Sequence, residues 1–414
     1  MVKVILSINA GSSSVKISVY SFQDGQTPKQ LAETQIDGLT APPPKLKYIR
    51  GTQYVAKGKV LDQKIETQDD AFMFMLDELI DDKELVELSS KDDITYTCHR
   101  VVHGGLYDTP KIINEDTYHH LEKLSDLAPL HNAPALQIID SCIRILPTSN
   151  NVAYFDSQFH QTIPPHISTY PIDPEIAERS KLRKYGFHGI SYAFITRSVA
   201  EYLGKPLSET NLIALHLGSG ASACAIVGGK SMDTSMGLTP LAGLPGATRS
   251  GSIDPSLVFH YASNVGKLSP SSTKHLHISE AEEILNKRAG WKALTGTTDF
   301  GKISTSSDPK MKLAMDIFVD RICSYVGSYY VTLHGKVDAL VFAGGIGEKS
   351  AELRRRVVDD CKCLGFGIDS AKNGKTIEDV VQDVGASDAR HGVLVCLTDE
   401  QFEMARGTAE IDAS

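Results

Sequence analysis

The sequence predicts a duplicated α/β architecture in two domains, on three observations. The chain opens strand, Gly/Ser turn, strand: Val2 to Ile8, Asn9 to Ser14, Val15 to Tyr20. The pattern returns at Leu212 to Leu217, Gly218 to Ala221 and Ser222 to Val227, with Val, Ile and Tyr enrichment marking the strands. Gly218 follows Gly11 by 207 positions, half of the 414-residue length, and at that offset Asn9 aligns with His216 and Ser13 with Gly220. Strands grouped before helices, twice over, give the α/β class.

The remaining elements follow in order. Asp69 to Ile80 places Phe72, Met75, Leu76 and Ile80 at helical spacing, with Asp69 and Asp70 favouring the positive N-terminal end. Asp93 to Val102 reads as a strand. Leu121 to Ile145 reads as helix interrupted by Pro129 and Pro134, and Asn151 to Phe155 as a strand ending at Asp156. Phe194 to Leu203 is helical. Beyond the second hairpin, Met311 to Leu333 is a long amphipathic helix with Leu313, Ile317, Val319, Ile322 and Val326 as its expected core face. Asp338 to Phe342 is a buried-type strand that runs into the loop Gly344-Gly345-Ile346-Gly347-Glu348, with a charged helix from Ser350. Val393 to Leu397 is the last strand, and Asp399-Glu400 opens the last helix.

Composition narrows the function classes. Lys and Arg number 42 against 51 Asp and Glu, a net charge of −9, so the surface as a whole is a poor match for nucleic acid or anionic membrane. No apolar run approaches the ~18 residues of a membrane span. Met1 to Leu6 runs straight into Ser7 without a signal-peptide core, and Glu410 to Ser414 matches no lipidation or retention tail. Seven cysteines, an odd number and most of them isolated in apolar stretches, fit free thiols in a reducing cytoplasm. Cys361-Lys362-Cys363 lacks zinc-site spacing.

Three glycine loops each join a strand to another element, where bare backbone N–H groups can approach phosphate oxygens. The first adds Ser12, Ser13, Ser14 and Lys16, a cation and several donors around one turn. Two motif matches fail on context. Gly218-Ser219-Gly220-Ala221-Ser222-Ala223 fits a dinucleotide fingerprint, but a strand follows it and no acidic residue occupies 234–253. Gly229-Lys230-Ser231 resembles the end of a P-loop, but the required first glycine position holds Cys224. Asp299-Phe300-Gly301 spells a protein-kinase triplet without the catalytic loop that goes with it.

Charged residues beside loops complete the candidate set. Arg100 ends a strand before Gly104-Gly105, and Arg249 lies in the glycine-rich, flexible loop Gly246 to Gly251. Guanidinium forks match carboxylate and phosphate oxygens. His99 and His103 have metal-helix spacing on a strand-like run, which argues against metal binding. His131 and His188 sit beside proline or glycine in loops. Asp156 stands at the end of a core strand, where open α/β sheets bind ligands. Glu400 stands in the first turn of the last helix.

These residues resemble the acetokinase family, within the superfamily of sugar kinases, heat-shock ATPases and actin. The motifs are Asn9 to Lys16, His99 to Gly105, Ala128 to Asn132, Phe155-Asp156, Arg183 to Gly189, His216-Leu217-Gly218, Asp233 to Gly237, Thr248 to Gly251, Gly344 to Glu348 and Thr398 to Glu400. The resemblance runs from Asn9 to Glu400 and implies a duplicated actin-like (ribonuclease H-like) fold with a cleft between the domains. It implies domains 1–158 plus 391–414, and 159–390, with the last strand and Glu400 returning to the first. It implies Mg- or Mn-dependent transfer of the ATP γ-phosphoryl group to acetate, reversibly, giving acetyl phosphate and ADP in a cytoplasmic homodimer.

By the same resemblance Asn9, Arg100, His131, Asp156, His188 and Arg249 are catalytic, and Asn9, Asp156 and Glu400 attend the metal. Val102, Leu130, Phe187 and Pro240, with Arg100, bind the acid. Ser12, Ser14, Lys16, His216, Gly218, Ser219, Gly220, Asp299, Phe300, Gly301, Gly345, Ile346 and Gly347 bind nucleotide or phosphate. The chain departs from the family pattern at Ser219 (usually Asn), Tyr192 (His), Ser252 (acidic), Gly301 (Arg) and Lys349 (Asn), mostly on the expected nucleotide side. Alternatives are a propionate or butyrate kinase and, from another class, a non-catalytic actin-like ATP-binding switch.

Overall fold

The computed structural model describes residues 2–11, 13–40, 42–124, 129–261, 268–269, 272 and 279–413; the side chains of 129–131 and 260–261 are outside that description. The chain forms two compact units, Met1–Gln158 with Asp399–Ser414, and Phe159–Thr398.

The first unit holds an eight-stranded sheet. Its strands are β1 (Lys3–Ala10), β2 (Ser14–Phe22), β3 (Lys29–Asp37), β4 (Lys45–Arg50), β5 (Gln53–Val60), β6 (Ile94–Val101), β7 (Lys111–Ile112) and β8 (Asn150–Phe155), in the order β5-β4-β3-β2-β1-β6-β8-β7. β1 to β5 form an antiparallel meander, β1, β6 and β8 run parallel, and β7 is antiparallel to β8. Alternate residues Val4, Leu6, Ile8, Val15, Ile17 and Val19 bury one face against the helix Gln68–Asp81, which contributes Phe72, Met75, Leu76 and Leu79. Thr67 and Asp70 close a reciprocal capping box at the start of that helix.

The second unit repeats the plan with β9 (Leu212–Leu217), β10 (Ala221–Val227), β11 (Lys230–Thr234), β12 (Ala339–Ala343), β13 (Val381–Asp383) and β14 (Gly392–Cys396), in the order β11-β10-β9-β12-β14-β13. β9, β12 and β14 are parallel, and β13 is antiparallel to β14. Strand for strand this matches β3-β2-β1-β6-β8-β7, so the duplication expected from two hairpins extends through six strands. Two parallel crossovers in each half bring strand ends together at one edge.

The structure corrects four expectations. The last strand, β14, pairs in register with β12 in the second sheet, so the chain returns to the first unit at Asp399 rather than at 391. The long helix is Pro309–Thr332, capped by Asp308, and Leu313 is 52% exposed while Ala314, Met315 and Phe318 join Val319, Ile322 and Val326 in the core. Gly344–Lys349 is a short helix rather than a loop. The Arg249 segment is pinned rather than flexible, as detailed below. Among the described residues no helix is long and apolar enough to cross a membrane.

Candidate active site

In the first unit the parallel ladder builds a charged cluster. Ile8 pairs with His99 across β1·β6, and Arg100 pairs with Tyr154 across β6·β8. Asn9, Arg100 and Asp156 therefore stand at the C-terminal ends of three adjacent parallel strands, where α/β sheets hold ligands. Glu400 joins them as first residue of the helix Glu400–Asp412, whose cap Asp399 accepts from the Phe402 N–H at 2.9 Å. That helix is seated by Thr408, which bonds Tyr154 Oη at 2.8 Å and Cys98 Sγ at 3.0 Å.

Arg100 is the centre of the cluster. Its Nε and Nη2 donate to the two oxygens of Asp156 at 3.0 and 2.7 Å, and Nη1 donates to Asn9 Oδ1 at 3.3 Å. Nη1 also lies 3.3 Å from Glu400 Oε2, which accepts from Asn9 Nδ2 at 3.2 Å. Asp156 is 1% exposed. Burial alone would lower the Arg100 pKa; the Asp156 and Glu400 charges outweigh it and hold the guanidinium above its ordinary value. The result is a fixed cation in a bidentate clamp.

Lys16 already has a carboxylate partner. Its ammonium pairs with Glu33 at 2.8 Å, and Lys47 takes the other Glu33 oxygen at 2.9 Å. Burial pushes the Glu33 carboxyl up, but these two lysines bring it below its usual range. The cation of the first glycine loop is thus already matched by a carboxylate. Ser14 opens β2, and Gly11 N–H donates to its carbonyl at 2.8 Å to close the turn. Val102 is half-buried after β6. Ser12 lies outside the described residues, as do the side chains of Leu130 and His131.

In the second unit a second cluster forms around the hairpin β9–β10. His188 caps the helix Gly189–Tyr202 from a left-handed conformation, φ +60°, a strained choice for a residue with a side chain. Its ring lies over that of His216, with centroids 4.3 Å apart. His188 Nδ1 meets Ser222 Oγ at 2.8 Å, and Ser222 Oγ meets Tyr192 Oη at 2.6 Å. Gly220 is packed by this group: a Cβ added there would lie 2.9 Å from Arg249 Nη1 and 3.7 Å from His188 Nε2. Only glycine lets the guanidinium approach the hairpin this closely.

Backbone bonds hold the Arg249 segment on both sides. Ala247 N–H donates to the Ser219 carbonyl at 2.8 Å, Trp291 and Lys292 N–H donate to the Gly246 and Ala247 carbonyls, and Ala289 N–H to Thr248. Gly218 N–H closes onto Gly220 at 3.1 Å. Phe187 and Pro240 are buried, and the Phe187 carbonyl accepts from His160 Nε2 at 2.9 Å.

The expected nucleotide residues divide. Gly345, Ile346 and Gly347 sit in the short helix that leaves β12, with Gly345 facing open space. Gly344 opens that helix at φ +73°, with its α-carbon against the Leu217 backbone. Arg354, 1% exposed, fastens the helix by donating to the Gly347 and Glu348 carbonyls at 2.7 and 2.8 Å and to Asn373 Oδ1 at 2.7 Å. Burial lowers its pKa to about 10. Phe300 is instead a core ring, edge-on to Trp291 and Phe318 with centroids 5.4 Å apart in each pair. Asp299 caps its short helix by accepting from the N–H groups of Gly301 and Lys302. Sequence reasoning missed Arg354 and Ser222 as site-building residues and gave Tyr192 only as a departure from the family pattern; a charged or hydroxyl residue gives no sequence signal of being buried.

The oxygen donors Asn9, Asp156 and Glu400 are the class that Mg2+ or Mn2+ takes. Among the described residues there is no cluster of three or more His, Cys, Asp or Glu. Two carboxylates suit a cation that keeps waters and substrate phosphate oxygens in its shell.

Known proteins match nearly the whole chain. The model of the acetokinase family matches residues 4–406. A probable acetate kinase from Neurospora crassa is 61% identical, covering 99% of this chain and 94% of its own. The crystal structure of Porphyromonas gingivalis acetate kinase superposes with TM-score 0.83 at 31% identity, covering 99% of both chains. A propionate kinase from Francisella tularensis gives TM-score 0.83 at 34% identity, covering 98% of both. With both glycine hairpins and both arginine clusters inside the matched span, the chain belongs to the acetokinase family.

Proposed function

We propose that the chain is an acetate kinase: it transfers the ATP γ-phosphoryl group to acetate, reversibly and directly in line, giving acetyl phosphate and ADP. The observation that carries this is the Arg100 clamp, a guanidinium fixed by Asp156 and Glu400 at the ligand end of a parallel sheet. A non-catalytic switch has no need of such a clamp together with Arg249 against Gly220.

The chemistry asks little of the protein beyond placement and charge. Acetate is already anionic, so no general base is required. Two anions must meet, and their repulsion is the main obstacle. In this reading Arg100 and Asn9 orient acceptor and phosphoryl oxygens, and Arg249 and His188 donate to equatorial oxygens as charge develops there. By the family resemblance Val102, Leu130, Phe187 and Pro240 are the residues that would keep water from the acetate methyl. By the family resemblance the hairpin turn 218–220 and the short helix Gly344–Lys349 lie on the nucleotide side, where glycine leaves the backbone open to phosphate oxygens. Mg2+ held near Asn9, Asp156 and Glu400 neutralises phosphate charge when bound.

A hydroxamate assay with acetate and MgATP tests the assignment. Acyl phosphate formation is expected; its absence with intact nucleotide binding would favour the switch. The Francisella relative named a propionate kinase makes an acetate, propionate and butyrate rate series worthwhile. One methylene is worth only ~1–3 kcal/mol in such a pocket. We carry forward from the family resemblance a homodimer, tested by light scattering. A cytoplasmic location is supported by the seven free cysteines.

A further inference from the structure

We propose that Ser222 and Tyr192 are positioning residues that hold His188 as its neutral Nε2–H tautomer, aiming a hydrogen-bond donor rather than an acceptor beside Gly220 and Arg249. The inference rests on the assignment of His188 to the transferring phosphoryl group, and it adds the device that sets which ring nitrogen carries the proton.

The direction of the hydrogen-bond chain follows from counting donors. Tyr192 is fully buried, and its oxygen accepts from the backbone N–H of His216. Among the described residues the other partner of this hydroxyl is Ser222 Oγ at 2.6 Å. Were Ser222 to donate to Tyr192, the phenol proton would be buried without an acceptor, a loss of roughly 1–3 kcal/mol. Tyr192 therefore donates to Ser222. The Ser222 hydroxyl, its oxygen now accepting, donates across the 2.8 Å contact to His188 Nδ1. An accepting Nδ1 leaves the ring proton on Nε2. Nε2 is the atom on the Gly220 side, 3.7 Å from where a Gly220 Cβ would sit. Phosphoryl oxygens are acceptors, so this tautomer matches them and the other does not.

A phenol held by the His216 N–H can donate in one direction only.

The test is nitrogen-15 NMR on the full chain with labelled histidine, the His188 signals being assigned by their loss in His188→Gln. Expected in the wild type is an unprotonated Nδ1 and a protonated Nε2 near neutral pH. Ser222→Ala and Tyr192→Phe should mix the tautomers. kcat should fall on the order of 10–100-fold, the range for removing an outer partner of a functional histidine, with KM for acetate and ATP changed less than about threefold. Ser222→Thr, which keeps the hydroxyl, should restore the wild-type signature. A wild-type His188 protonated at Nδ1 overturns the inference. So does an unchanged tautomer and kcat in Tyr192→Phe, which remains readable if Ser222→Ala fails to fold. A wild type with the expected tautomer but no acyl phosphate formation would sink the kinase reading and leave the hydrogen-bond chain standing.

Discussion

Substituting Gly220 by alanine separates the placement of Arg249 from the stability of the fold. The added Cβ would lie 2.9 Å from Arg249 Nη1, against about 3.4 Å for the start of ordinary contact. The guanidinium tip must therefore retreat by roughly 0.5 Å, which a flexible side chain does cheaply. Gly220 has no left-handed φ, so alanine fits the backbone. Gly→Ala at a compatible position gains about 0.4–1 kcal/mol through the unfolded state. Stability should be unchanged or slightly raised. Misplacing a catalytic group by ~1 Å costs about 100-fold in rate, so half that displacement predicts roughly a tenfold fall in kcat, or about 1.4 kcal/mol in barrier. Urea denaturation and the hydroxamate assay measure the two quantities on the same preparation. Turnover within twofold of wild type would refute the assigned role of Arg249. Loss of stability by more than about 1 kcal/mol would refute the packing argument.

Other substitutions should behave differently. Gly344→Ala meets the Leu217 backbone at 2.8–3.0 Å from a φ of +73°; neither can yield, and a loss of about 2–4 kcal/mol in urea denaturation is expected. Asp156→Asn turns one acceptor of the Arg100 fork into a donor facing a donor. With Glu400 still beside Nη1, about 2–4 kcal/mol of stability should go, and kcat should drop at least about 100-fold with the lost orientation. Burial lowers the pKa of His99 and His160 from 6.5 to about 4. The unfolded chain then binds more protons between those values. Stability is full above pH ~6.5 and falls as the pH drops toward 4, by about 1.4 kcal/mol per pH unit for each histidine. His160→Gln should reduce that slope in a pH series of denaturation curves.

Local signals carried the hairpins, the acidic helix starts and the strand ends, because each is written within a few residues. The strand ends were enough to bring Arg100 and Asp156 into the candidate set, since parallel strands that stop together expose their last residues together. Long-range pairing was not legible. Lys16 meets Glu33 because β2 and β3 pair in one particular register, and no local pattern states that register. β14 lies beside β12 although a long stretch of helix and loop separates them, so its sheet could not be assigned from its own sequence. Leu313 sits at a helical spacing that fits the core face, yet the packing partners of the first turn are reached by Ala314 and Met315 instead. Phe300 beside an aspartate and a glycine looks like a ligand-facing ring until Trp291 and Phe318 close around it.

The two hairpins show how one backbone device serves two chemistries. Ala10 pairs with Val15 around the first loop, and Leu217 pairs with Ala221 around the second. The second loop is therefore one residue shorter, and the topological partner of Lys16 is Ser222. In the first unit this place holds a cation already balanced by Glu33. In the second it holds the hydroxyl that meets His188 and Tyr192. The preceding strand shows the same divergence: Asn9 enters the Arg100 cluster, whereas its counterpart His216 lies against His188. A duplicated fold fixes where side chains emerge, and substitution at those places decides what they do. The place beside β1 carries a charge clamp around Arg100, and the place beside β9 carries the His188–Ser222–Tyr192 chain with Arg249 close to Gly220. An exchange such as Ser222→Lys should then fail for a stated reason. The place equivalent to Glu33 in β11 is held by Thr234, opposite Cys224, so an ammonium at 222 would lack the carboxylate partner that Lys16 has and would be left against His188.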